Sequence, residues 1–283
     1  MVSRRSFIQT LSLAGASLAL TSSSLNAMPF LKKRHTVGIQ LWTLRSLIEK
    51  DLPGVLQSLH EIGYNSIEPF GFNGEFFGYG AAEFRRICDN LELEILSSHS
   101  SIDEDNATEI SVKGKIAGME FIVMPWTDSS KLKTVDDYKN FAGLLNRIGR
   151  KVNTAGLRFA YHNHNFEFQP IDGQLPYDIM LQNTDPDLVT FQMDIYWVVK
   201  GGQKPEDYFN KYPGRFESWH IKDMACDGNS CAVGDGAIDF RYLMKFSKKA
   251  GLKRFFVEQE YFDGITEIEA ARKSYNYIND KLL

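Results

Sequence analysis

Cysteine is scarce, with three in 283 residues, too few for a disulfide scaffold in a chain this long. Cys226 and Cys231 share a glycine-rich segment and can pair only if the fold brings their Cα atoms close enough. Cys88, in "FRRICDN", reads as a buried helix residue. A basic excess is also missing. The formal net charge is -4 and the pI about 5.9, so there is no general electrostatic reason to bind nucleic acid or anionic lipid. No G-x-G-x-x-G follows the first apolar run, which takes away the best argument for a dinucleotide-binding fold. No cluster of lysine and arginine stands ready to cradle a phosphate. Beyond the first 27 residues there is no low-complexity tract. With 43% hydrophobic and 24% charged residues, the chain is globular in composition and has material for a large core.

The first 27 residues read as a targeting segment. "SRRSFIQ" precedes the apolar "TLSLAGASLALTSSSLNA", which ends in small residues. The pattern resembles a twin-arginine export signal: Arg4, Arg5 and Phe7 sit where it wants them, and Gln9 replaces its usual lysine. The apolar stretch from Ile8 to Leu20 carries serines and is too short to span a bilayer well, and no cysteine follows for a lipid anchor. A periplasmic protein without a stable membrane anchor is expected, with one domain over residues 28–283. The twin-arginine resemblance implies export in the folded state, cofactor included.

From His35 onward, short apolar runs alternate with amphipathic stretches. "TVGIQLW" leads to "LPGVLQSLHEIG", "SIEPF" to "AAEFRRICDNL", "LEILSSH" to "ATEISVKGKIAG", and "FIVMPW" to "VDDYKNFAGLLNRIGRKVNTAG". The second half continues with strand runs "LRFAYHNH", "VTFQMDIYW", "SWHIKDM" and "RFFVEQEY", each followed by a helical stretch. Gly63, Gly118, Gly156 and Gly251 stand where helices should end. Eight strand-then-helix units over about 250 residues predict a (β/α)₈ TIM barrel rather than an open doubly wound sheet. In that fold, chemistry belongs at the C-terminal strand ends. Those ends are Gln40 and Trp42, Glu68, His99, Trp126, His162 and His164, Asp194, His220 and Lys222, and Glu258 and Glu260.

Four of the six histidines fall in that set, together with several carboxylates. Buried ionised groups are expensive unless paired or bound to metal, so convergence on one divalent ion is the economical reading. Imidazole with carboxylate suits Mn, Zn, Fe or Co, whereas an all-oxygen shell favours Mg or Ca. Manganese is the first choice, with Zn, Co, Fe and Mg as alternatives.

The runs "YHNHNFEF", "MDIYW", "HIKD", "VGDGAIDF" and "FVEQE" resemble, in order and together, the sugar phosphate isomerase/epimerase superfamily of xylose-isomerase-like barrels. The resemblance spans residues 36–282. It implies one divalent metal held from strands five to eight, usually by Glu, Asp, His and Glu, with Asp194, His220 and Glu258 matching the last three. The first ligand departs from the pattern. Alternation in "RFAYHNH" turns Ala160, His162 and His164 inward, which puts His162 where the family's glutamate stands. Glu167, five residues on, could instead curl back. His162 is preferred, and Glu167 is kept as the alternative.

The activity implied is proton abstraction next to a carbonyl in a sugar or polyol, through an enediolate stabilised by the metal as a Lewis acid. Glu258 is the chosen base, with Lys222 and His164 as further proton-handling candidates. Glu68, His99, Trp42 and Trp126 are expected to contact substrate. Phe70, Phe72, Phe76, Phe77 and Trp197 are expected to join Trp42 and Trp126 in an aromatic rim. With the strand-five glutamate replaced, two-carboxylate epimerisation weakens as a reading, and a lyase, dehydratase or hydratase acting on a keto-sugar or 3-keto-glycoside becomes the alternative. A sugar-binding protein without catalysis is a further class. The substrate is a small sugar, no nucleic acid partner is expected, and a homo-oligomer is compatible with the sequence. The segment from Met224 to Ala237 reads as a pocket-covering loop, and Asp239 as a helix N-cap.

Overall fold

The computed structural model describes residues 36–283; the expected targeting segment lies outside the described residues. Eight parallel strand positions follow in chain order. They are β1 (Gly38–Gln40), β2 (Ser66–Glu68), β3 (Glu94–Ile95 and Ser97–His99), β4 (Phe121–Met124), β5 (Arg158–His162), β6 (Val189–Asp194), β7 (Ser218–Ile221) and β8 (Arg254–Val257). Gly38 pairs with Ser66 on one side and with Phe256 on the other, so β1 joins β2 to β8. The remaining neighbours pair in sequence.

The third strand is not continuous. Glu94–Ile95 pairs with β2 and Ser97–His99 with β4. At the break the Leu96 carbonyl accepts from the backbone N–H groups of both Glu120 (2.9 Å) and Phe121 (3.1 Å). The bend hands the ring over from one neighbour to the next, and its small polar residues Ser97 and Ser98 stay buried.

Among the described residues ten α-helices cover the outside: α1 (Arg45–Ile62), α2 (Ala81–Asp89), α3 (Ala107–Ala117), α4 (Val135–Thr154), α5 (Pro176–Asn183), α6 (Ile195–Lys200), α7 (Pro205–Lys211), α8 (Phe240–Leu243), α9 (Ser247–Ala250) and α10 (Glu267–Tyr277). Their ends are specified locally. Thr134 and Asp137 form a reciprocal capping box on α4, as Thr266 and Glu269 do on α10. The Asp239 carboxylate accepts from Tyr242 N at 2.9 Å, capping α8 as expected. Among the described residues no helix is long and apolar enough to cross a membrane.

Strand alternation separates two interiors. Val189, Phe191 and Met193 of β6 and Trp219 and Ile221 of β7 pack outward into the main core against the helices. Inside the barrel, Phe121, Val123 and Ala160 form a small separate apolar cluster. Gly38 makes room there for the Phe256 ring, since a Cβ at 38 would lie 2.4 Å from Phe256 Cδ1. Beside this apolar cluster the barrel interior is polar, with Gln40, Glu68, Ser97, Gln192, Ser218 and His220 all fully buried.

Two expectations need correction. Phe72 and Phe76 are not rim residues: both are wholly buried, and Phe76 stacks between Phe72 and Phe84. The pairing of Cys226 with Cys231, left open by the sequence, is not made: both are free. The segment after β7 does not line the central cavity. Instead it folds on itself, because the Asp223 carboxylate accepts backbone N–H groups from Met224, Gly234, Gly236 and Ile238 at 2.8 to 3.1 Å.

Candidate metal centre and cavity

Alternation along four consecutive strands brings His162 (β5), Asp194 (β6), His220 (β7) and Glu258 (just beyond β8) together. One donor atom from each lies within 4.8 Å of every other, and all four residues are buried. His220 Nδ1 is 2.8 Å from Glu258 Oε2 and 3.9 Å from Asp194 Oδ2. Donors about 2.1 Å from one small ion stand roughly 3 to 4 Å apart, so the spacing is that of a shared coordination sphere. Asp194 carries a further sign. Its Oδ1 caps α6 by accepting from Trp197 N at 2.9 Å, while its Oδ2 is buried with no hydrogen-bond partner. An orphaned carboxylate oxygen is expensive unless something cationic meets it. Two imidazoles and two carboxylates fit a divalent ion such as Mn or Zn.

The protonation states reflect crowding of like and unlike charge. Burial pushes the Asp194 carboxyl up to about 7, against the opposing pull of Lys222. Burial would lower His220, but Glu258 and Glu68 outweigh it and hold the imidazolium up to about 10. Burial would raise Glu258; instead Lys222 and His220 keep it well below the usual carboxylate range. Desolvation, reinforced by the neighbouring imidazoles and Lys222, takes His162 well below its ordinary value.

Glu68, expected to contact substrate, is not among the residues lining the cavity over the cluster. It is wholly buried and its carboxylate accepts from His220 Nε2 (2.6 Å), Gln40 Nε2 (2.8 Å), Gln192 Nε2 (2.7 Å) and the Ser97 hydroxyl. A ligand histidine whose second nitrogen donates to a carboxylate is fixed in tautomer and made more basic. Glu68 is placed to do this for His220 once an ion replaces the proton at Nδ1.

Glu167, the alternative first ligand, lies elsewhere. Tyr161 points out of the barrel, and its hydroxyl donates to Glu167 Oε1 at 2.7 Å while His164 N donates to Oε2 at 3.0 Å. Burial raises this carboxyl to about 7 despite those bonds. The short turn after β5 tucks it behind the strand rather than curling it back over the mouth.

A cavity of about 370 Å³ opens over the cluster, lined by Trp42, Phe70, His99, Trp126, His164 and Glu260 together with His162 and Glu258. Trp42 meets Phe70 edge-on at 5.0 Å, and Trp126 is 56% exposed, so the mouth offers open aromatic faces. No lysine or arginine lines the cavity. His164 also lines it, its Nδ1 unpartnered and its pKa lowered to about 4, chiefly by burial. Lys222 does not reach the cavity. Its ammonium bonds Glu260 at 2.6 Å, stands 3.8 Å from Glu258, and sits over the Tyr196 and Trp197 rings at 4.9 and 4.8 Å. Trp197 therefore belongs to the lysine rather than to the rim. Gln192 escaped the sequence reading because it is uncharged and lies inside β6, although it is two residues before Asp194 and must share its face.

Residues 56–281 match the family described as Xylose isomerase-like TIM barrel. An inosose dehydratase of Clostridium beijerinckii is 27% identical over 166 residues, covering 52% of this chain and 55% of that protein. The chain thus spans about half the length of the curated relatives it matches. A sugar phosphate isomerase/epimerase from Parabacteroides distasonis superposes with a TM-score of 0.78 at 27% identity, covering 93% of this chain and 99% of that one. The IOLI protein, solved with a zinc atom, shares the fold at 14% identity, with a TM-score of 0.69 over 87% of this chain and 97% of its own. With the family match running through most of its length, the chain belongs to the xylose isomerase-like TIM barrels.

Proposed function

We propose that the protein is a metal-dependent enzyme that removes the proton next to a carbonyl of an uncharged keto-sugar or polyol, as an isomerase or epimerase. The observation that carries this reading is the convergence of His162, Asp194, His220 and Glu258, with the orphaned Asp194 Oδ2, at the floor of a cavity whose mouth is aromatic. A divalent ion held by those four residues would supply Lewis acidity to a carbonyl and its neighbouring hydroxyl.

The chain's own groups do the rest. Glu258 is ionised and lines the cavity, so it can accept the proton, and Lys222 and His220 stabilise its charged form. His164, on the far side of β6 and β7 from Glu258, is a neutral imidazole open to the same space and can hold or return a proton there. Trp42 and Trp126 offer faces to a sugar ring. With Glu258 and Glu260 in the wall and no lysine or arginine in it, the cavity disfavours a phosphorylated substrate. Export through "SRRSFIQ" would place the enzyme in the periplasm, away from sugar phosphates.

A lyase outcome is the second reading. His162 stands where a second carboxylate would serve two-sided epimerisation, and the matched relatives include an inosose dehydratase. The test is incubation of the purified, manganese- or zinc-loaded full chain with keto-sugars in deuterated water. Deuterium entering next to the carbonyl, lost in Glu258→Gln, supports proton abstraction; a product lighter by one water identifies elimination. Absence of exchange and of conversion across a keto-sugar panel overturns the reading.

A further inference from the structure

The middle layer of the barrel interior contains a chain of hydrogen bonds whose direction follows from a single carboxylate. Glu68 is met by donors on both oxygens: Gln40 Nε2, whose own carbonyl is fixed by accepting from Trp42 N, and His220 Nε2 reach Oε2 at 2.8 and 2.6 Å, and the Ser97 hydroxyl reaches Oε1. It stands in this network as the acceptor. Gln192 lies 2.7 Å from Glu68 Oε1, so the group facing Glu68 must be the amide NH₂, which also donates to the Ser218 hydroxyl at 3.1 Å. The reversed amide would set two acceptor oxygens against each other with no proton between them. The Gln192 carbonyl oxygen therefore faces the opposite way, 2.8 Å from His99 Nε2 and 3.2 Å from His162 Nδ1. A carbonyl can only accept, so each of these nitrogens must carry the hydrogen. A neutral imidazole has only one N–H. Hence His162 is protonated on Nδ1 and presents the lone pair of Nε2, and His99 is protonated on Nε2 and presents Nδ1.

We infer that Gln192 is a positioning residue that selects the Nδ1–H tautomer of His162, so that its Nε2 is the nitrogen offered to a divalent ion alongside Asp194, His220 and Glu258. The inference rests on the metal-site reading above and adds what the His162 departure requires. A glutamate at that position would need no tautomer control, whereas a histidine needs one acceptor on its far nitrogen. Gln192 supplies that acceptor while its other end satisfies Glu68, which in turn fixes the tautomer of His220. One carboxylate thus orients both imidazole donors, His220 directly and His162 through an amide relay. The same carbonyl leaves His99, which lines the cavity, with Nδ1 as an acceptor toward a substrate hydroxyl.

The experiment uses the full chain in three forms: wild type, Gln192→Met, and the exchanged pair Glu68→Gln with Gln192→Glu. In the exchanged pair the amide at 68 donates to the carboxylate at 192, and the hydroxyls of Ser97 and Ser218 rotate to suit, so every bond has a partner with its direction kept at the histidines. Long-range ¹⁵N–¹H spectra of the metal-free protein read the His162 tautomer, and titration with zinc alone reads affinity. The expected result is Nδ1–H in the wild type and the exchanged pair, with a mixed or reversed tautomer in Gln192→Met. Zinc affinity should fall about 10- to 100-fold in Gln192→Met, the usual cost of losing a supporting partner, and return to within a few-fold of wild type in the exchanged pair. An unchanged tautomer and affinity in Gln192→Met overturns the inference. Should Gln192→Met not fold, by circular dichroism, the exchanged pair decides alone: a folded protein with His162 protonated on Nε2 is equally contradictory. If wild type binds no zinc while the tautomers behave as stated, the metal reading fails and the relay stands.

Discussion

Tyr161 and His162 are neighbours on β5, and their side chains lead to two different buried carboxylates. His162 points into the barrel, toward Asp194, His220 and Glu258. Tyr161 points out, against Phe141 of α4, and bonds Glu167. Glu258 and Glu167 are both almost wholly shielded from solvent. Glu258 has Lys222 and His220 beside it and stays ionised; Glu167 has only neutral donors, and burial lifts its carboxyl to about 7. The difference shows that the charges its neighbours bring set whether a buried carboxylate stays ionised, as a metal ligand or a base must, and that strand alternation decides which neighbours those are.

The largest effect that separates the two regions is catalytic. Glu258→Gln should lower turnover on the order of 10²- to 10⁴-fold, with zinc still bound because the amide oxygen can coordinate, whereas Glu167→Gln should keep turnover within a few-fold. Steady-state rates on a responsive keto-sugar check both, and wild-type turnover in Glu258→Gln excludes that residue as the base.

The next effect is on metal affinity. His162→Ala should weaken zinc binding beyond the about 10- to 100-fold cost of losing a supporting hydrogen bond, while Glu167→Ala should leave it within that range or better. Calorimetric titration reads both, and the reverse ranking would move the ligand role to Glu167.

A third effect concerns stability and its pH dependence. The Glu167 carboxyl is raised in the folded state from an ordinary 4.5 to about 7, so the unfolded chain loses this proton first as pH rises. Stability should therefore fall from about pH 4.5 to about pH 7 and level off above, by on the order of 3 kcal/mol from this group. Across that window the wild type should lose stability relative to Glu167→Gln as pH rises, read as a change in the difference between their denaturant midpoints, because the variant lacks this slope. Parallel curves would show that Glu167 does not titrate there.

The smallest effect is at the mouth. Trp126→Ala should raise KM about fivefold, equivalent to about 1 kcal/mol of lost aromatic contact, with kcat little changed. A change in kcat alone would place Trp126 in the chemistry instead.

Much of this arrangement was legible in the sequence because barrel strands are short and periodic. The runs "RFAYHNH", "VTFQMD" and "SWHIKD" assign inward residues by alternation, and the structure brings His162, Asp194, His220 and Glu258 together accordingly. Other features depend on contacts between strands far apart in sequence. Glu68 stands at a strand end like the others, yet its partners on β1, β3, β6 and β7 draw it beneath the cavity. Gln192 becomes visible only once Glu68 dictates which way its amide must face. Phe72 and Phe76 follow β2 as a rim residue would, but the hairpin pairing Glu75–Phe76 with Tyr79–Gly80 folds them into the core. The choice between His162 and Glu167 turned on a three-residue turn, Phe166–Phe168, whose direction no periodicity specifies.

The most direct test of the central claim is a crystal structure of the metal-loaded full chain with anomalous scattering at the metal edge. The account predicts one ion, with His162 Nε2, Asp194 Oδ2, His220 Nδ1 and a Glu258 oxygen each about 2.0 to 2.2 Å away. An ion held by Glu167 with His162 turned aside, or no ion within reach of Asp194 Oδ2, would contradict it.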